Sequence, residues 1–235
     1  MIIGGLQKTS LIDFPGKISC VVFLSGCNFD CPYCHNPDLA RGNPGLPEPV
    51  MDLDQLLGFL GKRRGLIDGV VLTGGEPTLQ PDLPAACAEI KSLGFSVKVD
   101  TNGSRPDIVG RLLQDRLVDF LAMDIKTDPD RYPLHISKNS SPSSIRASIR
   151  QVLLSKIPHE FRTTCVHPIV DMEAVHVLAE LLQGAQCHVL QRVQHDHVNV
   201  LHPEFFDEHD WFVDEATLRN YQSRIAETVG TCLIR

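Results

Sequence analysis

Several features of other protein classes are missing from this 235-residue chain. No apolar run approaches the roughly 18–20 residues that a helix needs to cross a bilayer. Basic residues are not in excess, because 22 Lys+Arg stand against 29 Asp+Glu and the formal net charge is −7; this argues against a protein that mainly binds the phosphate backbone of nucleic acids. The segment Met1–Gly5 has no basic region ahead of an apolar stretch, so we expect no secretory signal. We therefore expect an intracellular, cytoplasmic protein that uses neither a membrane nor nucleic acid.

A disulfide framework is missing as well. Of the eight cysteines, Cys27, Cys31 and Cys34 crowd into eight residues, and the others are scattered singly through apolar stretches. In a reducing compartment, such a tight cluster indicates metal or redox chemistry.

Internal repeats are also absent, and what recurs is a short, β-rich apolar run followed by a longer helical pattern. This alternation favours parallel strands with right-handed crossovers, and at ~30 residues or more for each βαβ unit the chain accommodates about six units. That is short of a complete eightfold barrel of ~250 residues, so a partial barrel and a doubly wound sheet both fit. Both folds place their chemistry at the carboxyl ends of the strands. The predicted strands are 19–24, 69–72, 95–99, 118–123, 160–166 and 187–190, and the predicted helices are 53–62, 83–93, 106–113, 143–154 and 173–182.

Three segments lie outside this alternation. The polar stretch 128–144 is predicted to be a long mobile loop, and the proline-containing stretch 43–49 a second loop. The tail 214–235 is predicted to be a helix followed by an apolar end.

The three clustered cysteines directly follow the first predicted strand. Thiolates are soft ligands that suit zinc or iron–sulfur clusters. Zinc would want a fourth protein ligand, and His35 next to Cys34 is a candidate. An iron–sulfur cluster held by only Cys27, Cys31 and Cys34 would leave one iron open to an outside ligand.

Glycines and a carboxylate end the next predicted strand. Gly74 and Gly75 would let a ligand approach the backbone closely, and Glu76 could accept from an ammonium group. An ordinary strand-to-helix turn explains the same letters.

Charged groups end the following strands. Asp100-Thr101 and Asp124-Ile125-Lys126 would bring two carboxylates close together, where they repel unless a cation or Lys126 lies among them. Arg162 could anchor a carboxylate bidentately if it faces inward, or form a structural ion pair.

Together these motifs resemble those of radical S-adenosylmethionine (SAM) enzymes. The loop Cys27-x-x-x-Cys31-x-Tyr33-Cys34 and the later Gly-Gly-Glu-Pro at 74–77 carry the resemblance. Segments 5–17 and 26–37 are similar to the activating proteins of anaerobic ribonucleoside-triphosphate reductase and to pyruvate formate-lyase activating enzymes. The match is strong to about residue 126 and weak beyond it.

The resemblance implies a single domain over residues 1–235, a partial (β/α)6 barrel with its cluster loop at 26–37 and a weakly assigned C-terminal segment at 191–235. It implies a [4Fe-4S] cluster on the three cysteines, with SAM bound at the remaining iron. Residues matching the SAM site, some of which can hold a monovalent cation, are Tyr33, Gly74, Gly75, Glu76, Asp100, Thr101, Asp124 and Lys126, with Arg162 as the carboxylate anchor suggested above.

The implied activity is reductive cleavage of SAM to generate a glycyl radical on a partner enzyme, the anaerobic ribonucleotide reductase, with no general acid or base. No cysteine lies between Cys34 and Gly74, so a ferredoxin-like insertion is absent, and electrons come from an external donor such as flavodoxin or ferredoxin. Two alternatives stay open: a radical SAM enzyme for a small molecule, similar to 7-carboxy-7-deazaguanine synthase, and a non-catalytic zinc module. His195, His197 and His202 match nothing; they would bind a metal or lie in a solvated loop.

Overall fold

The structure is a computed structural model that describes residues 1–42, 51–137, 139–193 and 200–235. The predicted loop at 43–49, Lys138, His195 and His197 lie outside the described residues. One sheet of eight strands forms the centre, in the order in which the strands occur along the chain. The strands are β1 (Ile3–Ser10), β2 (Ser19–Leu24), β3 (Gly69–Gly74), β4 (Ser96–Thr101), β5 (Phe120–Asp124), β6 (His159–Cys165), β7 (His188–Arg192) and β8 (Cys232–Ile234).

Strands β2 to β8 are parallel, and only β1 pairs antiparallel, with β2. A doubly wound sheet reverses its strand order at a switch point. Here each strand pairs with the next one along the chain, so the sheet winds in one direction, as in a barrel. The prediction of a partial barrel is therefore confirmed, and the doubly wound alternative is wrong.

Helices cover the outer face of the sheet, and five of them lie where the sequence predicted them. The capping box at the start of the helix Leu53–Gly61, in which Asp52 and Gln55 each accept from the other's backbone N–H, shows how locally these helices are specified. No helix in the described ranges is long and apolar enough to cross a membrane. The helices are α1 (Pro37–Arg41), α2 (Leu53–Gly61), α3 (Leu83–Ser92), α4 (Pro106–Gln114), α5 (Tyr132–His135), α6 (Pro142–Leu154), α7 (Met172–Leu181), α8 (Glu204–Glu208) and α9 (Glu215–Ala226).

The prediction of one long loop at 128–144 is wrong. The segment contains a 3₁₀ turn at Pro129–Arg131 followed directly by α5, and α6 begins at Pro142. Tyr132 anchors the segment because its ring is completely buried and its hydroxyl accepts from the Lys126 backbone N–H at 2.9 Å. Ile136 is buried as well and accepts from the Asp30 N–H at 2.9 Å, so apolar residues tie this polar segment to the barrel.

The two faces of the strands separate two environments. Side chains facing outward, such as Val22, Leu72 and Val99, form the large core under the helices. The opposite face lines the barrel lumen, where Phe14 packs on Val21 and Val71. Since Phe14 lies against Gly69, at the first residue of β3, this apolar layer closes the amino-terminal end of the lumen. Polar side chains line the carboxyl-terminal end of the lumen.

Candidate active site

A cavity of about 550 Å³ opens at the carboxyl ends of the strands. All of the residues that the sequence singled out for a cofactor site line it. They are Cys27, Cys31, Tyr33, Cys34, Gly74, Gly75, Glu76, Asp100, Thr101, Asp124, Lys126 and Arg162.

The three cysteines of the loop after β2 face this cavity. Cys31 is buried, whereas Cys27 and Cys34 are half-buried, and all three are free thiols. Burial raises the pKa of Cys27 to about 11 and that of Cys31 to about 12. Thiols in such surroundings become thiolates when a metal replaces the proton.

Tyr33, between the second and third cysteine, is 4% exposed. Its hydroxyl is buried and has no hydrogen-bond partner among the described residues. Burial raises the pKa of Tyr33 well above its usual value, so the hydroxyl keeps its proton. An orphaned polar atom at a cavity wall fits a site built to receive a bound group.

The backbone of neighbouring residues leaves no room for a side chain at Gly74 or Gly75. A Cβ on Gly75 would come within 2.2 Å of the Gly26 carbonyl oxygen, and one on Gly74 within 2.4 Å of the Leu24 nitrogen. The Gly75 N–H donates to the Leu24 carbonyl at 2.7 Å, and the Glu76 N–H donates to that of Gly26 at 2.8 Å. The two glycines therefore fix the end of β3 directly against the cluster loop, one residue before Cys27.

Glu76 is a buried carboxylate, 1% exposed. Its Oε1 accepts from the Thr101 hydroxyl at 2.7 Å and from both the backbone N–H and the hydroxyl of Thr78. Its Oε2 accepts from one donor among the residues described, the Asn102 N–H at 2.7 Å. Burial raises the pKa of Glu76 despite these donors. A positive group at the less occupied Oε2 would be electrostatically favoured.

The two aspartates at the ends of β4 and β5 are bridged by Arg162 of β6. Arg162 donates through Nε to Asp124 at 2.6 Å and through Nη1 to Asp100 at 3.2 Å, and Lys126 donates to the other Asp124 oxygen at 3.0 Å. Burial alone would raise the pKa of both carboxyl groups, but these cations outweigh it and hold each pKa below its usual value. Arg162 thus faces inward, and the repulsion expected between the aspartates is relieved by side chains.

Lys98 and Asn102 bond to predicted site residues but were not themselves predicted. Lys98 lies below Asp100 on the same strand and donates to its Oδ1 at 2.5 Å. Asn102 donates to Glu76 through its backbone and to the Asn28 side-chain oxygen through Nδ2 at 3.0 Å, with Nδ2 lying 3.9 Å from the Cys27 sulfur. The alternation of β4 could have identified Lys98, since residues two apart on a strand share a face.

The C-terminal segment reaches the cluster loop. The Leu201 N–H donates to the Cys34 carbonyl at 3.1 Å, and the His202 N–H donates to that of Pro32 at 3.2 Å. The His202 ring lies 2.9 Å from Asp30 and 3.0 Å from Glu204. His202 is therefore a bridge between the tail and the cluster loop.

Comparison with known proteins agrees with this geometry. Residues 21–182 match the radical SAM superfamily. The chain belongs to this superfamily. Its members use a [4Fe-4S] cluster and SAM.

Within the superfamily, the chain falls among the glycyl-radical enzyme activating enzymes. It is 31% identical over 201 residues to a Methanocaldococcus jannaschii protein named as such an enzyme, covering 82% of this chain and 80% of that one. It is 29% identical over 147 residues to the pyruvate formate-lyase-activating enzyme of Listeria monocytogenes, covering 58% of each. The chain thus spans little more than half the length of the latter relative.

Solved radical SAM structures share the fold. Streptococcus suis SuiB bound to S-adenosylmethionine superposes with a TM-score of 0.67 at 11% identity, covering 92% of this chain and 51% of SuiB. Coproporphyrinogen III oxidase from Escherichia coli, also a radical SAM enzyme, gives a TM-score of 0.53 at 14% identity, covering 74% of this chain and 45% of that one.

The residues at the cavity fit the superfamily's cofactors. Three soft thiols from one loop, the orphaned Tyr33 hydroxyl and the less occupied Glu76 oxygen all meet at one cavity. Across the described ranges, no three His, Cys, Asp or Glu side chains are grouped to hold a single metal ion. His35, the fourth ligand that zinc would need, is exposed.

Proposed function

We propose that this radical SAM protein cleaves SAM reductively and generates a glycyl radical on the anaerobic ribonucleoside-triphosphate reductase. One observation carries the proposal: the three thiols and the strand-end carboxylates, far apart in sequence, line the same cavity. The cavity also includes Asp13, which belongs to the N-terminal segment that resembles the reductase activators.

Cys27, Cys31 and Cys34 would hold the cluster. Three protein thiolates on four irons leave one iron for an outside ligand, and that asymmetry is what a SAM site needs. A cluster held by these residues would supply the one electron needed to cleave SAM, and the chemistry this would make available is removal of a hydrogen atom from a glycine of the partner. Such a reduction needs a cluster potential at the low end of a range of about −700 to +450 mV.

The strand-end residues would bind and orient SAM. Glu76 offers Oε2 to the methionyl ammonium group, and the cations Lys126 and Arg162 make the opposite side of the cavity favourable for a carboxylate. Gly75 holds the end of β3 against the cluster loop, so Glu76 and Cys27 keep a fixed separation. Tyr33 would lie beside the bound cofactor and exclude water from it.

The electrons would come from a separate protein such as flavodoxin or ferredoxin. The chain has no cysteine between residues 34 and 74 and thus no inserted second cluster there. The donor would have to come close to the cluster loop, which lies at the open carboxyl end of the barrel.

Anaerobic reconstitution with iron and sulfide tests the cofactor assignment. We expect about four irons per chain, absorption in the visible range, and formation of 5′-deoxyadenosine after reduction with SAM. Cys31→Ala should lower the iron content, whereas Cys187→Ala is the matched control because Cys187 lies outside the cavity. One zinc without iron would instead support the zinc module.

Electron paramagnetic resonance tests the partner. The reconstituted protein is reduced with SAM in the presence of an anaerobic ribonucleotide reductase, and we expect a glycyl radical signal. Its absence with the reductase but presence with another glycyl-radical enzyme would reassign the partner. Deoxyadenosine without a protein radical on any of them would favour a small-molecule substrate.

A further inference from the structure

Lys98 is a buried lysine in the lumen below the candidate SAM site. Only 3% of its side chain is exposed, and its ammonium lies 2.5 Å from Asp100 Oδ1. The ring of Phe120 is 5.9 Å from Nζ and packs against the apolar layer formed by Phe14, Val21 and Val71. Burying an ammonium in such a layer is costly unless it is paired. A methionine would fill this space without that cost, so the positive charge itself needs an explanation.

Lys98 is the first member of a row of alternating charges, which consists of Lys98, Asp100, Arg162, Asp124 and Lys126. Lys98 and Arg162 each pair with one oxygen of Asp100, and Arg162 and Lys126 each pair with one oxygen of Asp124. Every carboxylate oxygen of the two aspartates thus has a cationic partner from the protein. Three cations face two carboxylates in this row, and Glu160, buried two residues before Arg162 on the same strand, is paired with a further cation, Arg235, at 3.6 Å. The row therefore carries a net positive charge before any ligand binds.

An alkali-metal ion is disfavoured in such a row. It would have to share each aspartate oxygen with an ammonium or guanidinium group, and these cations would repel it. Glu76, a buried carboxylate of the cavity, accepts from uncharged donors alone within the described part of the chain, and so remains available to an ammonium group.

We propose that Lys98 is a positioning residue that acts as a built-in counter-ion of Asp100, so that this site binds SAM without the monovalent cation that activating enzymes of this type can hold. The inference rests on the proposed SAM site and adds a property that the site's other residues do not require. Among the described residues, Lys98 bonds to Asp100 and to no residue of the cluster loop, and it acts by fixing Asp100 and, through it, Arg162.

The test is the affinity for SAM in different salts. The protein, reconstituted with iron and sulfide, is titrated with SAM by anaerobic calorimetry in choline chloride, sodium chloride or potassium chloride, each at about 0.1 M so that screening is equal. The variants are Lys98→Met and Lys98→Arg. Lys91→Met is the matched control, because it removes a lysine–aspartate pair of similar length, with Asp119, outside the cavity.

We expect the dissociation constant of the unmodified protein for SAM to change by less than about twofold among the three salts. Lys98→Met should bind SAM about tenfold more weakly in choline chloride, and its affinity should recover in sodium or potassium chloride. Lys98→Arg and Lys91→Met should behave like the unmodified protein. Iron content checks that the variants hold equal amounts of cluster.

Two results would overturn the inference. One is an unmodified protein that binds SAM tightly only with sodium or potassium; this result needs no variant and stands even if Lys98→Met fails to fold. The other is a folded Lys98→Met that binds SAM as tightly as the unmodified protein in choline. If the unmodified protein neither binds SAM nor forms deoxyadenosine in any salt, the proposed function fails and the inference falls with it.

Discussion

His188 on β7 should make the fold sensitive to acid, and the size of the effect follows from its surroundings. The side chain is completely buried, its Nε2 lies 2.9 Å from the Thr163 hydroxyl, and its Nδ1 has no partner among the described residues. The Thr163 hydroxyl itself donates to the Ile125 carbonyl at 2.8 Å, so it accepts from Nε2–H. Burial lowers the pKa of His188 from 6.5 to about 3.

The direction of the effect follows from proton linkage. Between pH 3 and pH 6.5 the unfolded chain carries a proton on His188 that the folded chain does not, so the free energy of unfolding falls as the pH falls. At about 1.4 kcal/mol for each pH unit, the loss is about 2 kcal/mol at pH 5 and approaches about 5 kcal/mol near pH 3. Out of a typical total of about 5–15 kcal/mol, such a loss is large.

Urea unfolding at several pH values measures this effect. His188→Gln should lower stability at pH 7, because the imidazole packing is lost, but should remove most of the decline between pH 7 and pH 5. His159→Gln serves as the comparison, since burial also lowers the pKa of that histidine. Parallel pH profiles for the unmodified protein and His188→Gln would refute the reasoning.

Two further predictions concern the site. Gly75→Ala should lower the free energy of unfolding by about 1–3 kcal/mol through overpacking. It should also lower the iron bound per chain, because the new Cβ would press on the backbone just before Cys27. Urea unfolding measures the first effect and iron analysis the second. Gly58→Ala is the control, because a Cβ there meets no other atom. An alanine at this helical position should raise the free energy of unfolding by about 0.5–1 kcal/mol. Equal iron contents in the two variants would contradict the prediction. Arg162→Lys should retain the fold but weaken SAM binding about tenfold or more. One ammonium group cannot reproduce the donation of Nε and Nη1 to two aspartates. The loss of one charged hydrogen bond costs about 1.5–3 kcal/mol. Anaerobic calorimetry measures the affinity, and an unchanged dissociation constant would show that the bridge does not matter to the ligand.

The six central strands and five covering helices were predictable because each has a local signal. Strand β2 was predicted with its observed bounds, Ser19–Leu24, since it is a continuous run of β-favouring residues. Strand β1 was missed, because IGGLQKTS has two glycines and a polar half and becomes a strand only by pairing with β2. Strand β8 has only three residues and likewise depends on its neighbour, β7.

The candidate site divides in the same way. Local motifs identified every predicted site residue that lines the cavity, because cysteine spacing and strand-end glycines and carboxylates are readable along the chain. These motifs did not predict that Gly75 lies against the backbone of Gly26. They also did not predict that the tail residue His202 bonds to Asp30, 172 positions away in the sequence. Contacts between distant segments depend on how the sheet winds, which no local pattern encodes.

The amino-acid sequence by itself determined the alternation of strands and helices, the clustering of the three thiols and the family's motifs, since these depend on neighbouring residues. Only the tertiary structure decided that Lys98, Asp100, Arg162, Asp124 and Lys126 form one row of alternating charge. The physical reason is that four of these residues lie on three adjacent strands and Lys126 follows the end of β5. Parallel pairing in register brings their side chains within hydrogen-bond distance. Their charges acquire meaning only there, where burial removes water and each ion must find its partner in the protein.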